Sequence, residues 1–189
     1  MINITSFESA HLRQLTLAVP WKRTASSRAT KARQEEALAA VDSFADRIFF
    51  VTSVTWGRRA LFQSESLARL LLETIFSYRE RGIFELYEFA VMPDHIHLLL
   101  APMTGVAVER AMQFIKGGFS HRFMKETGSR MEIWQRSSTN HRIRDWTDCE
   151  KRRRYIHLNP VRAGLVEFPK DYPYSRRMLD SWSTTCHSG

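Results

Sequence analysis

The run FELYEFAVMPDHIHLLLAP, residues 84–102, constrains the fold more than any other part of the chain. Both halves are rich in aliphatic, aromatic and β-branched residues, and Met92-Pro93-Asp94 lies between them as a turn. Two strands joined this closely pair as an antiparallel hairpin. On either side of the run the apolar period changes to three or four. Upstream, Leu67, Leu71, Ile75 and Tyr78 follow a candidate cap at Ser64 and stop near Gly82. Downstream, Val108, Met112, Ile115, Phe119 and Phe123 mark one face of a helix over residues 105–124. Beyond these helices IFFVTSVTW, from Ile48, reads as a first strand, and a shorter β region spans Glu132 to Arg144 around Trp134. The order β-α-β-β-α-β is the split βαβ of an α+β, ferredoxin-like fold, an antiparallel sheet with helices on one face. An extra C-terminal helix is expected from Thr147, which with Glu150 makes a T-x-x-E capping box. It should end around Leu158, because Pro160 disfavours helical backbone at Asn159, and Gly164 and Pro169 punctuate the exit.

These elements place a catalytic-sized domain at residues 47–176. Residues 1–46 differ from it: Lys22, Arg23, Arg28, Lys31 and Arg33 stand among Ser, Thr and Ala, as in a basic extension. A helix from Lys31 is expected there, with Leu38, Val41, Phe44 and Ala45 on one face, either packed outside the domain or touching nucleic acid. Residues 177–189 read as a polar, unstructured tail.

A chain of 189 residues can bury a core without disulfides, and Cys149 and Cys186 lack the CxxC spacing of a cysteine zinc site. They indicate a reducing compartment, the cytoplasm by default. Lys and Arg outnumber Asp and Glu by 28 to 20, a formal charge of +8, which favours a polyanionic partner, nucleic acid before an anionic membrane. No stretch approaches the roughly 20 apolar residues of a bilayer span, and no signal-peptide or prenylation pattern occurs, so no membrane partner is expected.

His95 and His97 are two apart on a strand, so both rings leave the same face of the sheet and can reach one ion, while Ile96 and Leu98 go to the other face. Two half-buried structural histidines would leave the same trace. In RRRYIHLNPVRAG, Tyr155 and Asn159 are four apart and share a helical face with Lys151 and Arg152. That face suits an anion; a solvated basic helix with Tyr155 at its edge is the alternative.

These residues resemble the single-tyrosine HUH transposases, and among them the REP-associated tyrosine transposases related to IS200-like enzymes. The resemblance covers about Asp46 to Arg176 and rests on FFVTSVTWGRRALF, EFAVMPDHIHLLLAP, AMQFIKGGFSHRF, IWQR followed by NHRIRD, and YIHLNPVRAGLV before DYPYS. The Tyr-x-x-x-Asn-Pro form is similar to the REP-associated branch. Asp94 departs from the Asn frequent at that place, and SSTNHRI departs from the aromatic and acid that often precede the His.

The resemblance implies a metal-dependent single-stranded DNA endonuclease and strand-transferase acting on hairpin or REP-type palindromic DNA. It implies that His95, His97 and Asn159 bind a divalent ion, Mg2+ or Mn2+, and that Tyr155 is the nucleophile that becomes linked to a 5′ phosphate. No small-molecule cofactor is implied. A phenol titrates near pH ~10 and needs help to attack, for which Lys151 and Arg152 are the nearest candidates by helical geometry. Phosphate contacts are expected from Lys116, Arg122, Arg142, Arg144 and Arg162 together with Lys151 and Arg152. Trp134 reads as core packing before base stacking, and His121, His141 and His157 stay outside the metal set. A monomer at the prokaryotic nucleoid is expected. Two other functions fit the same fold: a non-catalytic binder of structured nucleic acid, and a metallohydrolase using a metal-bound water.

Overall fold

The computed structural model describes residues 47–177; the helix expected within residues 1–46 and the tail from residue 178 lie outside the described residues. Its elements are β1 (Phe49–Val54), α1 (Glu65–Glu80), β2 (Phe84–Met92), β3 (His95–Pro102), α2 (Val108–Thr127), β4 (Thr139–Arg142), α3 (Trp146–Arg162) and β5 (Ser175–Arg177). The strands form one antiparallel sheet in the order β4-β1-β3-β2-β5. The first four have the ferredoxin-like order, and β5 adds to the outer edge of β2, a strand too short to announce itself in sequence.

Each face of the sheet has its own core. Val51, Phe89, Val91, Ile96, Leu98 and Leu100 pack against Leu71 and Ile75 of α1 and Ile115 and Phe119 of α2. On the other face Phe50, Ala90, Met92, Leu99 and Ala101 pack against Cys149 and Ile156 of α3, with Ile143 and Tyr172. The crossover helices therefore cover one side and α3 the other. Burial on both sides explains why LLLAP is a continuous apolar run without polar alternation. The histidines leave β3 on the α3 side, in step with Leu99 and Ala101.

Two expected boundaries move. The cap of α3 is Asp145, whose carboxylate accepts from the Asp148 N–H at 2.8 Å; Thr147 is already inside the helix. The helix also runs through Pro160 to Arg162. Proline so near the end removes only one late backbone bond, and the residue is buried. The chain then leaves through Gly164 at φ 68°, where Leu165 N–H donates to the Pro160 carbonyl at 2.9 Å. The β region expected from Glu132 to Arg144 is a single Trp134–Thr55 bridge followed by four paired residues, because the polar Arg136–Ser138 segment loops out between them. Trp134 packs in the core against Phe62 and Phe119.

Candidate active site

The β2–β3 hairpin delivers His95 and His97 to the sheet face over which α3 lies. His97 is 3 % exposed, and its Nε2 lies 3.1 Å from His95 Nε2 and 3.1 Å from the side-chain amide nitrogen of Asn159. The Tyr155 ring stands edge-on to the His97 ring, centroids 5.2 Å apart, and edge-on to Phe50 at 5.8 Å. Phe50 also stacks on His97 at 5.4 Å, so the three rings form one cluster. The tyrosine remains 38 % exposed, open to a partner from solvent.

Both histidines are oriented through their other ring nitrogen. Asp94 Oδ1 lies 2.5 Å from His95 Nδ1, and Thr52 Oγ1 lies 2.9 Å from His97 Nδ1. Burial alone would raise the Asp94 carboxyl, but its hydrogen bond and charge interaction with His95, helped by Arg58 at 3.1 Å, hold it below the usual carboxylate range. An ionised carboxylate only accepts, so His95 carries its proton on Nδ1 and turns the Nε2 lone pair inward when neutral. His97 Nε2 accepts from Asn159, which puts its proton on Nδ1 as well. Burial, then repulsion from His95, push the His97 imidazole down to about 3, against a smaller opposing pull from Asp94.

Two acceptor nitrogens 3.1 Å apart repel unless something positive lies between them. Donors held about 2.1 Å from one ion and at right angles to each other are separated by about 3 Å. A half-turn of the Asn159 amide brings its oxygen to the same point. The donor set therefore fits a small divalent cation with several open positions. Among the described residues no group of three or more His, Cys, Asp or Glu side chains could hold a metal, so an amide would have to supply the third donor.

The family profile described as "Transposase IS200 like" matches residues 43–159, more than half of the chain and inclusive of all four residues of this cluster. The chain belongs to the IS200-like transposase family. Its relatives include a REP-associated tyrosine transposase of Haemophilus influenzae, 36 % identical over 102 residues, which cover 49 % of this chain and 58 % of that protein. Another, from Escherichia coli K12 and of the same name, is 27 % identical over 128 residues, 67 % of this chain and 73 % of the relative. The chain thus spans under two thirds of the first relative's length. The solved structure of a REP-associated tyrosine transposase bound to a REP hairpin superposes with a TM-score of 0.60 at 27 % identity, over 69 % of this chain and 76 % of that one.

Within this IS200-like domain the expected phosphate contacts divide. Arg162 lies beside the tyrosine, its guanidinium 5.8 Å from the Tyr155 ring centroid, and Lys151 is exposed one turn earlier on α3. Arg152 reaches the Phe50 ring at 5.4 Å and donates to Asp148 at 3.3 Å. Arg144 is exposed in the link between β4 and α3, past the strand expected to hold it. Three others are placed elsewhere. Lys116 donates to the Gln135 and Arg136 carbonyls at 2.7 and 3.4 Å, bracing the looped-out segment. Arg122 pairs with Glu73 at 2.6 Å and Thr74 Oγ1 at 3.2 Å between α1 and α2. Arg142 stands opposite Phe49 in register, which puts it on the α1–α2 face.

Several positioning groups escaped the sequence reading. Asp94 is the turn residue next to His95 in sequence, whereas Thr52 belongs to β1 and meets His97 only through sheet register, lying opposite it. Arg153, 8 % exposed, donates to Glu88 Oε2 at 3.3 Å and Glu150 Oε1 at 3.0 Å. Glu88 reaches that face because β2 slips register between Leu86 and Glu88; Tyr87 is the extra residue. Without the bulge, alternation from Leu86 would send the carboxylate into the α1–α2 core. His141 lies 2.6 Å from Asp148, which also accepts from Arg152 one turn later on α3.

Proposed function

We propose that this chain is a metal-dependent single-stranded DNA endonuclease and strand-transferase that works through a 5′-phosphotyrosine at Tyr155. The observation that carries the reading is the pair of inward-facing Nε2 atoms on His95 and His97, closed by the Asn159 amide and lying beside an exposed tyrosine on the same face. Mg2+ or Mn2+ held by His95, His97 and Asn159 would polarise the scissile phosphate and stabilise the leaving oxygen. Tyr155 Oη attacks phosphorus as its proton departs to solvent or a phosphate oxygen. The bond from phosphorus to the 3′ oxygen breaks, and that oxygen leaves as a hydroxyl after taking a proton. A 3′-hydroxyl later attacks the phosphotyrosine, restoring the phosphodiester and the phenol, so no nucleotide cofactor is consumed.

Arg162, whose guanidinium lies 5.8 Å from the Tyr155 ring centroid, joins Lys151 and Arg152 as a charge-compensating cation for the nucleophile. Hairpin or REP-type palindromic DNA is the proposed substrate, since the superposable relative is bound to a REP hairpin. The assembly of histidines, amide and tyrosine from one chain supports a monomer acting in cis.

The test is to incubate the full chain and a Tyr155→Phe variant with an end-labelled hairpin single strand and Mn2+, then denature and resolve the products. A covalent protein–DNA adduct is expected for the parent and none for Tyr155→Phe. Cleavage that survives Tyr155→Phe would instead support a metal-bound water, and DNA retention with neither cleavage nor adduct would support a non-catalytic binder.

A further inference from the structure

Between β1 and α1 the chain makes two short 3-10 turns, Trp56–Arg58 and Leu61–Gln63. This segment is clamped against the turn that presents the histidines. Thr55 donates to the Asp94 carbonyl through both its N–H and its Oγ1, each at 2.9 Å, and the Phe62 N–H donates to the Pro93 carbonyl at 2.9 Å. The Trp56 N–H donates to the Ile133 carbonyl at 2.7 Å, while Arg59 Nε donates to the Trp56 carbonyl at 3.0 Å and Arg59 Nη2 to the Glu132 carbonyl. The backbone at Trp56 is thus held on both sides.

Its side chain is not. The indole is 46 % exposed and makes no ring contact or hydrogen bond among the described residues. The next-but-one residue, Arg58, has φ 51°, the single positive φ at a non-glycine among the described residues. Long side chains adopt that backbone at a cost, which argues that the surroundings over-determine it. The result is to bring the Arg58 guanidinium to Asp94 at 3.1 Å, the carboxylate that also holds His95, while leaving it largely exposed.

A solitary surface tryptophan needs no explanation by itself. This one is rigidly mounted beside a strained arginine whose partner orients a residue of the cluster. We propose that Trp56 is a stacking platform for an unpaired nucleobase next to the scissile phosphate, with Arg58 beside it to compensate that nucleotide's charge. An indole face accepts any base, but only one outside a duplex stack offers it a free face, so the site would take single-stranded flank and ignore paired stem. The proposal rests on the nuclease reading, because it places the reacting strand at the His95 end of the sheet.

The experiment uses the full chain in EDTA, so that binding is read without cleavage, and two labelled hairpins that differ only in a short unpaired extension. Fluorescence anisotropy is expected to show Trp56→Ala weakening the extended hairpin roughly 5- to 100-fold, and the blunt hairpin less than about two-fold. Trp56→Phe keeps an aromatic face and should stay within about three-fold of the parent. Unchanged binding of the extended hairpin by Trp56→Ala, or equal weakening on both hairpins, overturns the assignment. If the parent binds neither hairpin, the nuclease reading falls and this inference falls with it.

Discussion

The His97 imidazole combines a neutral ring with almost complete burial, and that combination has a measurable consequence. In the unfolded chain an imidazole titrates near ~6.5, whereas in the fold burial and the neighbouring His95 push His97 down to about 3. Between those values the unfolded state binds the extra proton, so stability rises with pH through this window. The contribution is complete above about pH 6.5 and is lost as the pH falls toward 3. Metal-free protein unfolded by urea at pH 7 and pH 4.5 should show the effect, and a His97→Gln variant should lose less stability between the two. The expected difference is on the order of 2 kcal/mol. Equal losses in both proteins would mean that His97 titrates normally in the fold. The same residue shows the limit of reading motifs: His-x-His placed two rings on one face, but the His97 tautomer follows from Asn159 of α3, 62 residues away.

At the scale of elements, what matters most is how α3 is set on the sheet. The helix packs through Cys149 and Ile156, and these apolar contacts would tolerate some rotation. The Arg153–Glu88 pair ties one turn of α3 to one point on β2. Replacing the arginine takes this cation from a buried carboxylate, so Arg153→Met should destabilise by up to about 3–5 kcal/mol by urea denaturation. Adding Glu88→Leu should recover most of that loss. If the double variant is no better than the single, the arginine stem, and not the charge, supports the helix. The crossover helices offer a second comparison in Gly117 and Gly118 of α2. A Cβ on Gly118 would lie 2.6 Å from Tyr78 Cε2 and 2.8 Å from its hydroxyl, whereas one on Gly117 meets nothing within 4 Å. Gly117→Ala should therefore stabilise by up to about 1 kcal/mol, through helix propensity alone. Gly118→Ala should destabilise by about 1–3 kcal/mol, because the Tyr78 ring must move out of its contact with Phe114. Thermal unfolding of the two variants decides it, and matching midpoints would refute the packing argument.

For the whole molecule, local pattern and long-range placement divide the information. The bounds of β2 and β3 could be read from sequence because two apolar runs around Pro93-Asp94 are a local signal, as is the period of α1 and α2. Tyr155 and Asn159 could be read as neighbours because a helix of known pitch relates residues four apart. The passage of α3 through Pro160 was missed because a buried ring outweighed a local preference, and the cap at Asp145 because Thr147 offers a competing local signal two residues later. The charges divide for a different reason: Lys116 and Arg122 look like free cations in a chain of net charge +8, but their partners, Gln135 and Glu73, lie 19 and 49 residues away. The sequence by itself determined the order of elements, the shared face of the histidines and the shared face of Tyr155 and Asn159, since each follows from backbone periodicity. Only the tertiary structure decided that α3 lies on the histidine face, that a bulge at Tyr87 turns Glu88 toward it, and that Thr52 of β1 holds the His97 ring. Those outcomes depend on strand register and on which buried groups satisfy one another, and neither is encoded within a few residues of the groups concerned.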